Sequence, residues 1–134
     1  MKKLFLLSWV TAIIAVGIAF PVSAQDQPGF TIERLLMATG IENREPVGVA
    51  ATFPADTPKV YCFLEAGNVT TDTTVTFVWI HDGTEILKTS LPLKAGFRWR
   101  TRADKNLYGL TGDWKVEIRD AAGNTVKDIE FQVR

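Results

Sequence analysis

The sequence is poor in the residues that form disulfides and metal sites, with one cysteine, Cys62, and one histidine, His81. A lone cysteine excludes an internal disulfide, so the apolar core has to stabilise the fold. Zinc prefers clustered cysteine and histidine ligands, which this chain does not have. The acidic residues also lack the spacing of a calcium-binding loop. We therefore predict no metal site and no cofactor.

An excess of charge of one sign is also missing, because 15 basic residues balance 15 acidic residues over the 134-residue chain. Proteins that bind nucleic acid carry a strongly basic face or a high isoelectric point. The sequence isoelectric point is about 6.6. We therefore predict no nucleic-acid partner.

No arrangement of side chains in the sequence is typical of catalysis. His81 stands beside an Asp-Gly turn with no Gly-x-Ser-x-Gly motif or other framed nucleophile in the chain. Asp113 and Glu117 could be imagined as a glycosidase pair, but Lys115 alternates with them toward Arg119. Such alternation is typical of a solvated row of charges, in which a carboxylate keeps no raised pKa. The sequence predicts no catalytic residues and no enzyme.

The chain does contain a long apolar segment, which two lysines precede and which runs from Leu4 to Phe20. Val22 and Ala24 occupy the small-x-small positions of a signal-peptidase site, so residues 1–24 are predicted to form a helical signal peptide cleaved before Gln25. The alternative is an uncleaved anchor, which would be the only contact with a membrane. Cleavage would leave 13 basic and 15 acidic residues, a net charge of −2. We expect a periplasmic or secreted protein.

Strand-like alternation of apolar and polar residues dominates the rest of the chain. Residues 25–29 are polar, contain a Pro-Gly pair and are predicted to form a flexible leader, followed by one domain over residues 30–134. Alternation over 97–103, 113–119 and 129–133 predicts half-buried strands. The segments from Val60 to Leu64 and from Val75 to Ile80 are apolar on both faces, which predicts central strands.

Turn residues between these segments predict an all-β fold, an immunoglobulin-like antiparallel sandwich of about seven strands. Asp82-Gly83 and Gly123-Asn124 suit hairpin turns, one between 73–81 and 84–91 and one between 112–120 and 125–133. Val126 breaks the alternation, which predicts a bulge near residues 127 and 128. Residues 31–38 could form a strand or a helical turn, and we favour the strand. Trp79, Trp114 and Phe131 are expected inside, together with Cys62 in its apolar run.

An ordered set of short motifs resembles a bacterial family, the domain of unknown function 2914. The motifs are Arg44-Glu45-Pro46-Val47-Gly48, Phe53-Pro54, Val60-Tyr61-Cys62-Phe63, Val78-Trp79, Trp99-Arg100-Thr101 and Gly112-Asp113-Trp114-Lys115-Val116. The resemblance extends from Ile32 to Val133. It implies a small envelope-associated β domain with no established activity, and it carries over no catalytic residue. Phe77 stands where members often have a histidine, two positions before the strand tryptophan.

The most suggestive polar group is Arg98, Arg100 and Arg102, because the period of a strand places all three guanidinium groups on one face. Their mutual repulsion requires compensation. It could come from acidic residues of adjacent strands, such as Glu117 or Asp113, or from an anionic partner bound through bidentate hydrogen bonds.

The segment from Ala103 to Thr111 is predicted to be a recognition loop that presents Lys105 and Tyr108. We therefore expect an exported, non-catalytic interaction module of the bacterial envelope, with an envelope protein or a glycan as its partner. The alternative is a carbohydrate-binding module, which requires Trp99, Tyr108 or Trp114 to face solvent in a shared groove.

Overall fold

The computed structural model describes residues 28–134 of the chain. The predicted signal peptide, its cleavage site and residues 25–27 of the leader lie outside the described residues. Within them, regular structure consists of ten strands, and no helix is long and apolar enough to cross a membrane. The strands are β1 (Thr31–Ala38), β2 (Gly40–Glu42), β3 (Glu45–Val47), β4 (Thr52–Phe53), β5 (Lys59–Val69), β6 (Thr73–His81), β7 (Thr84–Leu93), β8 (Gly96–Asn106), β9 (Gly112–Arg119) and β10 (Thr125–Val133).

The seven longer strands and β4 form two sheets, and β2 and β3 form a small separate hairpin. The strand order is β1-β5-β8 in the first sheet and β4-β10-β9-β6-β7 in the second. All pairings are antiparallel except that between β4 and β10. The chain leaves the first sheet after β5, forms β6 and β7 in the second, and returns for β8. This crossing between sheets is the connectivity of an immunoglobulin-like sandwich, so the predicted fold is confirmed.

Aromatic side chains fill the core between the sheets. Trp79, Trp114 and Phe131 are buried, and the rings of Trp114 and Phe131 stack with centroids 5.6 Å apart. Phe131 also meets Trp79 edge to face at 6.4 Å. Cys62 of β5 is fully buried in the same cluster, and burial raises the pKa of its thiol well above the usual range. The prediction that Cys62 packs inside the apolar core is therefore confirmed.

Trp114 fixes the beginning of β9 against the preceding loop. Its indole Nε1 donates a hydrogen bond to the carbonyl oxygen of Leu110 at 3.1 Å. Immunoglobulin-like domains place a tyrosine near the start of the corresponding strand, where its hydroxyl bonds to backbone a few residues upstream. Trp114 makes the same kind of contact with an indole, which ties this corner of the sandwich to its core.

The predicted turns and bulge occur where the residue types require them. Asp82 and Gly83 both have positive φ angles, 47° and 83°, and connect β6 to β7 as a two-residue hairpin turn. The β9–β10 ladder shifts register between Thr125 and Lys127, so Val126 is the bulged residue, just before the positions 127 and 128 near which the bulge was predicted. Residues 31–38 form a strand, as favoured, because Leu35 and Met37 point into the core. Strands β2, β3 and β4 were not predicted, since two or three residues are too few to show alternation.

Candidate binding surface on the three-stranded sheet

The arginine stripe lies on β8, the edge strand of the three-stranded sheet. Arg98, Arg100 and Arg102 alternate with residues that face the core, of which Trp99 packs against the core and Ala103 is buried. The three guanidinium groups therefore share the outer face of this sheet, as their spacing predicts.

The acidic residues that balance the stripe differ from those expected. Glu117 and Asp113 lie on β9 in the other sheet, so the prediction that they compensate the arginines is wrong. Glu65 of β5 stands directly opposite Arg100, and its Oε1 lies 3.2 Å from Arg100 Nε and 3.7 Å from Arg98 Nη1. The pairing of β5 with β8 joins residues 35 positions apart, which local sequence patterns do not encode.

Arg34 of β1 completes a charged network on the outer face. Its guanidinium donates to Glu65 Oε2 at 3.0 Å and to Glu45 Oε2 at 2.8 Å, and it lies 4.8 Å above the ring of Phe63. The hydrogen bond from Arg34 is the main reason that the pKa values of Glu45 and Glu65 lie below their usual range. The Glu65 side chain is only 12% exposed. Both carboxylates are thus held in the ionised form.

The β2–β3 hairpin brings a strained arginine beside this network. Its two-residue turn consists of Asn43 and Arg44, with φ angles of 50° and 62°. Such a turn favours glycine at its second position, so an arginine there costs about 1 kcal/mol in backbone strain. Glu45, the next residue, contacts Arg100 at 3.2 Å and fixes the hairpin to β8. Strain of this kind is concentrated at functional positions.

A groove of about 630 Å³ runs between the hairpin and β8. Its lining includes Ile41 and Arg44 of the hairpin, Phe63 of β5 and residues 98–102 of β8. Within residues 28–134, no carboxylate lies within 4 Å of the charged atoms of Arg44 or Arg102. Four arginines line the groove, Arg44, Arg98, Arg100 and Arg102, whereas among the described arginines Glu45 and Glu65 contact only Arg98, Arg100 and the neighbouring Arg34. This arrangement suits an anionic ligand.

Lys105 and Tyr108 form a separate cluster at the end of β8. Lys105 belongs to the strand, so the predicted loop from Ala103 to Thr111 is wrong in its first half and begins after Asn106. The Nζ of Lys105 donates to the Asn106 carbonyl at 2.7 Å and lies 5.0 Å from the centroid of the Tyr108 ring. Tyr108 is 78% exposed on a turn with Gly109. Neither Lys105 nor Tyr108 lines the arginine groove.

Aromatic side chains do not form the shared surface that a sugar site requires. Trp114 is buried, Trp99 is half-buried in the groove wall, and Tyr108 lies outside the groove. Phe97 is 90% exposed, although the alternation of β8 predicted a half-buried position. It stands at the beginning of the strand, where the sandwich core no longer covers it. Sequence alternation missed this exposed ring because it contains no information on where the core ends.

His81 has a packing role in the described structure. Its Nε2 lies 2.7 Å from the carbonyl oxygen of Thr111, and its ring packs against Trp114 with centroids 4.6 Å apart. The side chain is 18% exposed, so this histidine at the hairpin turn is largely covered by its neighbours. Residues 28–134 contain no cluster of three or more histidine, cysteine or acidic residues able to hold a metal ion.

Comparison with known proteins supports the resemblance on the second half of the chain. Residues 72–133 match the family model described as protein of unknown function (DUF2914). The suspected DUF2914 resemblance is therefore confirmed over this range. It includes the arginine stripe of β8, whereas Glu45 and Glu65 precede it. No curated protein sequence matches the chain.

A solved structure with a similar region is a selenomethionine-labelled β-glucosidase from Kluyveromyces marxianus. The two chains share 12% sequence identity, and the TM-score is 0.44. The similar region covers 57% of this chain and 13% of the β-glucosidase chain.

Proposed function

We propose that this protein is an exported, non-catalytic interaction module of the bacterial envelope that binds an anionic partner in the groove beside β8. The observation that carries the proposal is the charge of the groove, which among the described residues is lined by four arginines and no carboxylate. Guanidinium groups bind carboxylates and phosphates through paired hydrogen bonds. Arg44 and Arg102, which contact no carboxylate among the described residues, are the groups that an incoming anion would meet.

Export is supported by the basic and apolar segments at the start of the sequence, which have the layout of a signal peptide. A non-catalytic role is supported by the contacts of His81, whose polar neighbours in the described structure are the Thr111 carbonyl and Asp82. A nucleophilic side chain beside His81 would instead have suggested catalysis.

A carbohydrate-binding module remains the alternative proposal, and the geometry supports it less well. Stacking on a sugar needs an exposed aromatic platform, and Tyr108 is the exposed ring within the predicted recognition segment. Its ring contacts Lys105 outside the groove. A glycan with acidic groups would instead be bound by the arginines and so falls within the main proposal.

The proposal is tested by photo-crosslinking in the native envelope. Phe97 is replaced by p-benzoylphenylalanine, which keeps an aromatic ring at a 90% exposed position beside the stripe. The control places the same group at Ile86 of β7, which is 40% exposed on the other sheet. We expect a defined adduct from position 97 that is absent from position 86. The adduct should disappear when Arg98 and Arg102 are both replaced by alanine.

Mass spectrometry of the exported protein tests the location at the same time, because cleavage before Gln25 removes residues 1–24. Equal labelling from positions 97 and 86, or an adduct that survives loss of the two arginines, would contradict the proposed binding surface. Recovery of the full chain from the cytoplasm alone would contradict export.

A further inference from the structure

The outer edge of β8 has no neighbouring strand in the described part of the chain, since the sheet order ends at this strand. Residues 97–104 take part in none of the backbone hydrogen bonds outside the strand ladders of residues 28–134. The groove is lined by five consecutive residues, 98–102, of both side-chain orientations. Side chains of a strand alternate between the two faces of the sheet, so a cavity that touches five residues in succession lies along the edge of the strand. The groove therefore gives access to the backbone of β8.

The other sheet edges carry features that prevent a further strand from adding. Edge strands are commonly protected by bulges, prolines, short length or cover from a loop. β7 contains Pro92 and pairs with β6 through an irregular register. β1 has a register shift between Ile32 and Arg34, and the Ala50 amide donates a hydrogen bond to the Met37 carbonyl of this strand. β4 has two residues. The ladder between β5 and β8 has no register shift, and β8 contains no proline.

Charge determines which strand the edge of β8 can accept. Two copies of the edge would place their arginines against each other, and like charges facing each other across a strand pair are destabilising. An acidic strand would place its carboxylates against the same groups. Arg98 is 60% exposed, and its contact with Glu65 is long at 3.7 Å. Arg102 is also exposed and contacts no carboxylate in the described region.

Resting on the proposed function, we propose that the partner supplies an acidic, extended peptide segment that adds to the edge of β8 as a fourth strand of the three-stranded sheet. Its acidic side chains would lie opposite Arg98 and Arg102. These two positions are four residues apart, about 13 Å along a strand at about 3.3 Å per residue. The segment therefore carries acidic residues at positions i and i+4 on one face.

A peptide fits this edge better than another polyanion, because a strand edge presents alternating amide and carbonyl groups that a second strand satisfies in register. Phosphate or sulfate polymers accept hydrogen bonds but do not supply the donors that the carbonyl groups of β8 need. Phe97, which precedes Arg98 on β8 and is 90% exposed, offers an apolar contact to the end of the added strand.

The test measures binding of a fluorescently labelled peptide of alternating threonine and glutamate, about nine residues long, by fluorescence anisotropy. Only alternate residues of an added strand direct their N–H groups at the neighbouring strand. Two N-methylated versions, each methylated at one set of alternate residues, therefore distinguish strand addition from charge attraction. We expect one version to bind like the unmodified peptide and the other to lose binding.

Protein variants complete the test. Replacing both Arg98 and Arg102 by alanine should weaken binding of the unmodified peptide about tenfold or more, the range of one or two charge-assisted contacts. The matched control replaces Lys88 and Lys127, exposed cations of the five-stranded sheet, by alanine and should leave binding unchanged. The unfolding temperature of each variant shows that it folds.

Equal binding of the two methylated peptides would overturn strand addition, as would equal or stronger competition by dextran sulfate than by the acidic peptide. These results are distinguishable from failure of the proposed function. If position 97 still gives an arginine-dependent adduct in the envelope, the binding surface stands and the inference about its ligand is wrong.

Discussion

The outer faces of the two sheets use similar charged residues in different ways. Each carries an open groove, of about 630 Å³ on the three-stranded sheet and about 570 Å³ on the five-stranded sheet. The groove of the five-stranded sheet is lined by four carboxylates and one lysine. Arg119 contacts Glu85 and, at 2.9 Å, Glu117, whereas Lys115 lies 3.4 Å from Glu117. The groove of the three-stranded sheet is instead lined by four arginines and, among the described residues, no carboxylate.

Both faces also use charged side chains to cover apolar groups. Arg34 lies over the ring of Phe63, which is only 2% exposed. On the other sheet, Val78 is fully buried although it faces outward, with Lys88 and Glu117 as its cross-strand neighbours. The comparison shows that a charged outer face does not by itself indicate a ligand, because its charged side chains also cover apolar groups. The two grooves differ in the sign of the charge that lines them, and the arginine-lined groove of the three-stranded sheet is the one that suits an anion.

The largest effect that we expect on stability comes from Glu65→Gln. Glu65 meets Arg34, Arg98 and Arg100 and is nearly buried, so the substitution leaves three guanidinium groups without their shared carboxylate. The free energy of unfolding should fall by about 2 kcal/mol in urea denaturation. The matched variant Glu117→Gln on the other face should cost about 1 kcal/mol, because Glu117 neutralises one arginine and one lysine. Equal losses in the two variants would show that the additional guanidinium contact of Glu65 does not stabilise the three-stranded sheet more than Glu117 stabilises the other sheet.

Acid should narrow the stability difference between wild type and Glu65→Gln. The pKa of Glu65 is lowered mainly by its hydrogen bond from Arg34, so its contribution to stability is present above the unfolded-state pKa of about 4.3 and is lost as pH falls through the folded-state value. Between pH 7 and pH 3, wild type should lose more stability than Glu65→Gln, and the gap between their unfolding free energies should narrow. Urea titrations at pH 7, 4 and 3 measure it. A constant gap would mean that Glu65 acts through packing.

The smallest effect should have the opposite sign. Arg44→Gly relieves the positive φ angle of 62° and should raise the free energy of unfolding by about 1 kcal/mol, offset in part because glycine gains entropy in the unfolded chain. The same variant should bind the acidic peptide more weakly. Thermal unfolding and anisotropy on one preparation check both. Greater stability with unchanged binding would show that Arg44 has no part in the site.

Much of the fold could be predicted from local sequence. Segments that are apolar on both faces became β5 and β6, and the hairpin β6–β7 follows from Asp82-Gly83 between alternating runs. The β2–β3 hairpin could not be predicted, because Asn43-Arg44 lacks the glycine that signals such a turn. Phe97 illustrates a second limit. Alternation predicts the face of the sheet on which a side chain lies, but it does not predict whether other core residues cover that side chain.

Only the three arginines of β8 in the candidate site were predictable, whereas Arg34, Arg44 and the two carboxylates were not. The spacing of Arg98, Arg100 and Arg102 on one strand is a local property. The identity of their acidic neighbour depends on which strand lies beside β8. That choice is set by long-range packing of the whole sandwich, and it placed Glu65 opposite Arg100 in preference to the acidic residues of β9.

Burial of the lone sulfhydryl has a practical consequence. Disulfide reagents react with the thiolate, and Cys62 is both inaccessible and held protonated in the native state. Its modification therefore requires the two layers to separate. The rate at which a reagent such as dithionitrobenzoate labels the untouched wild-type protein reports that opening directly, without an introduced probe.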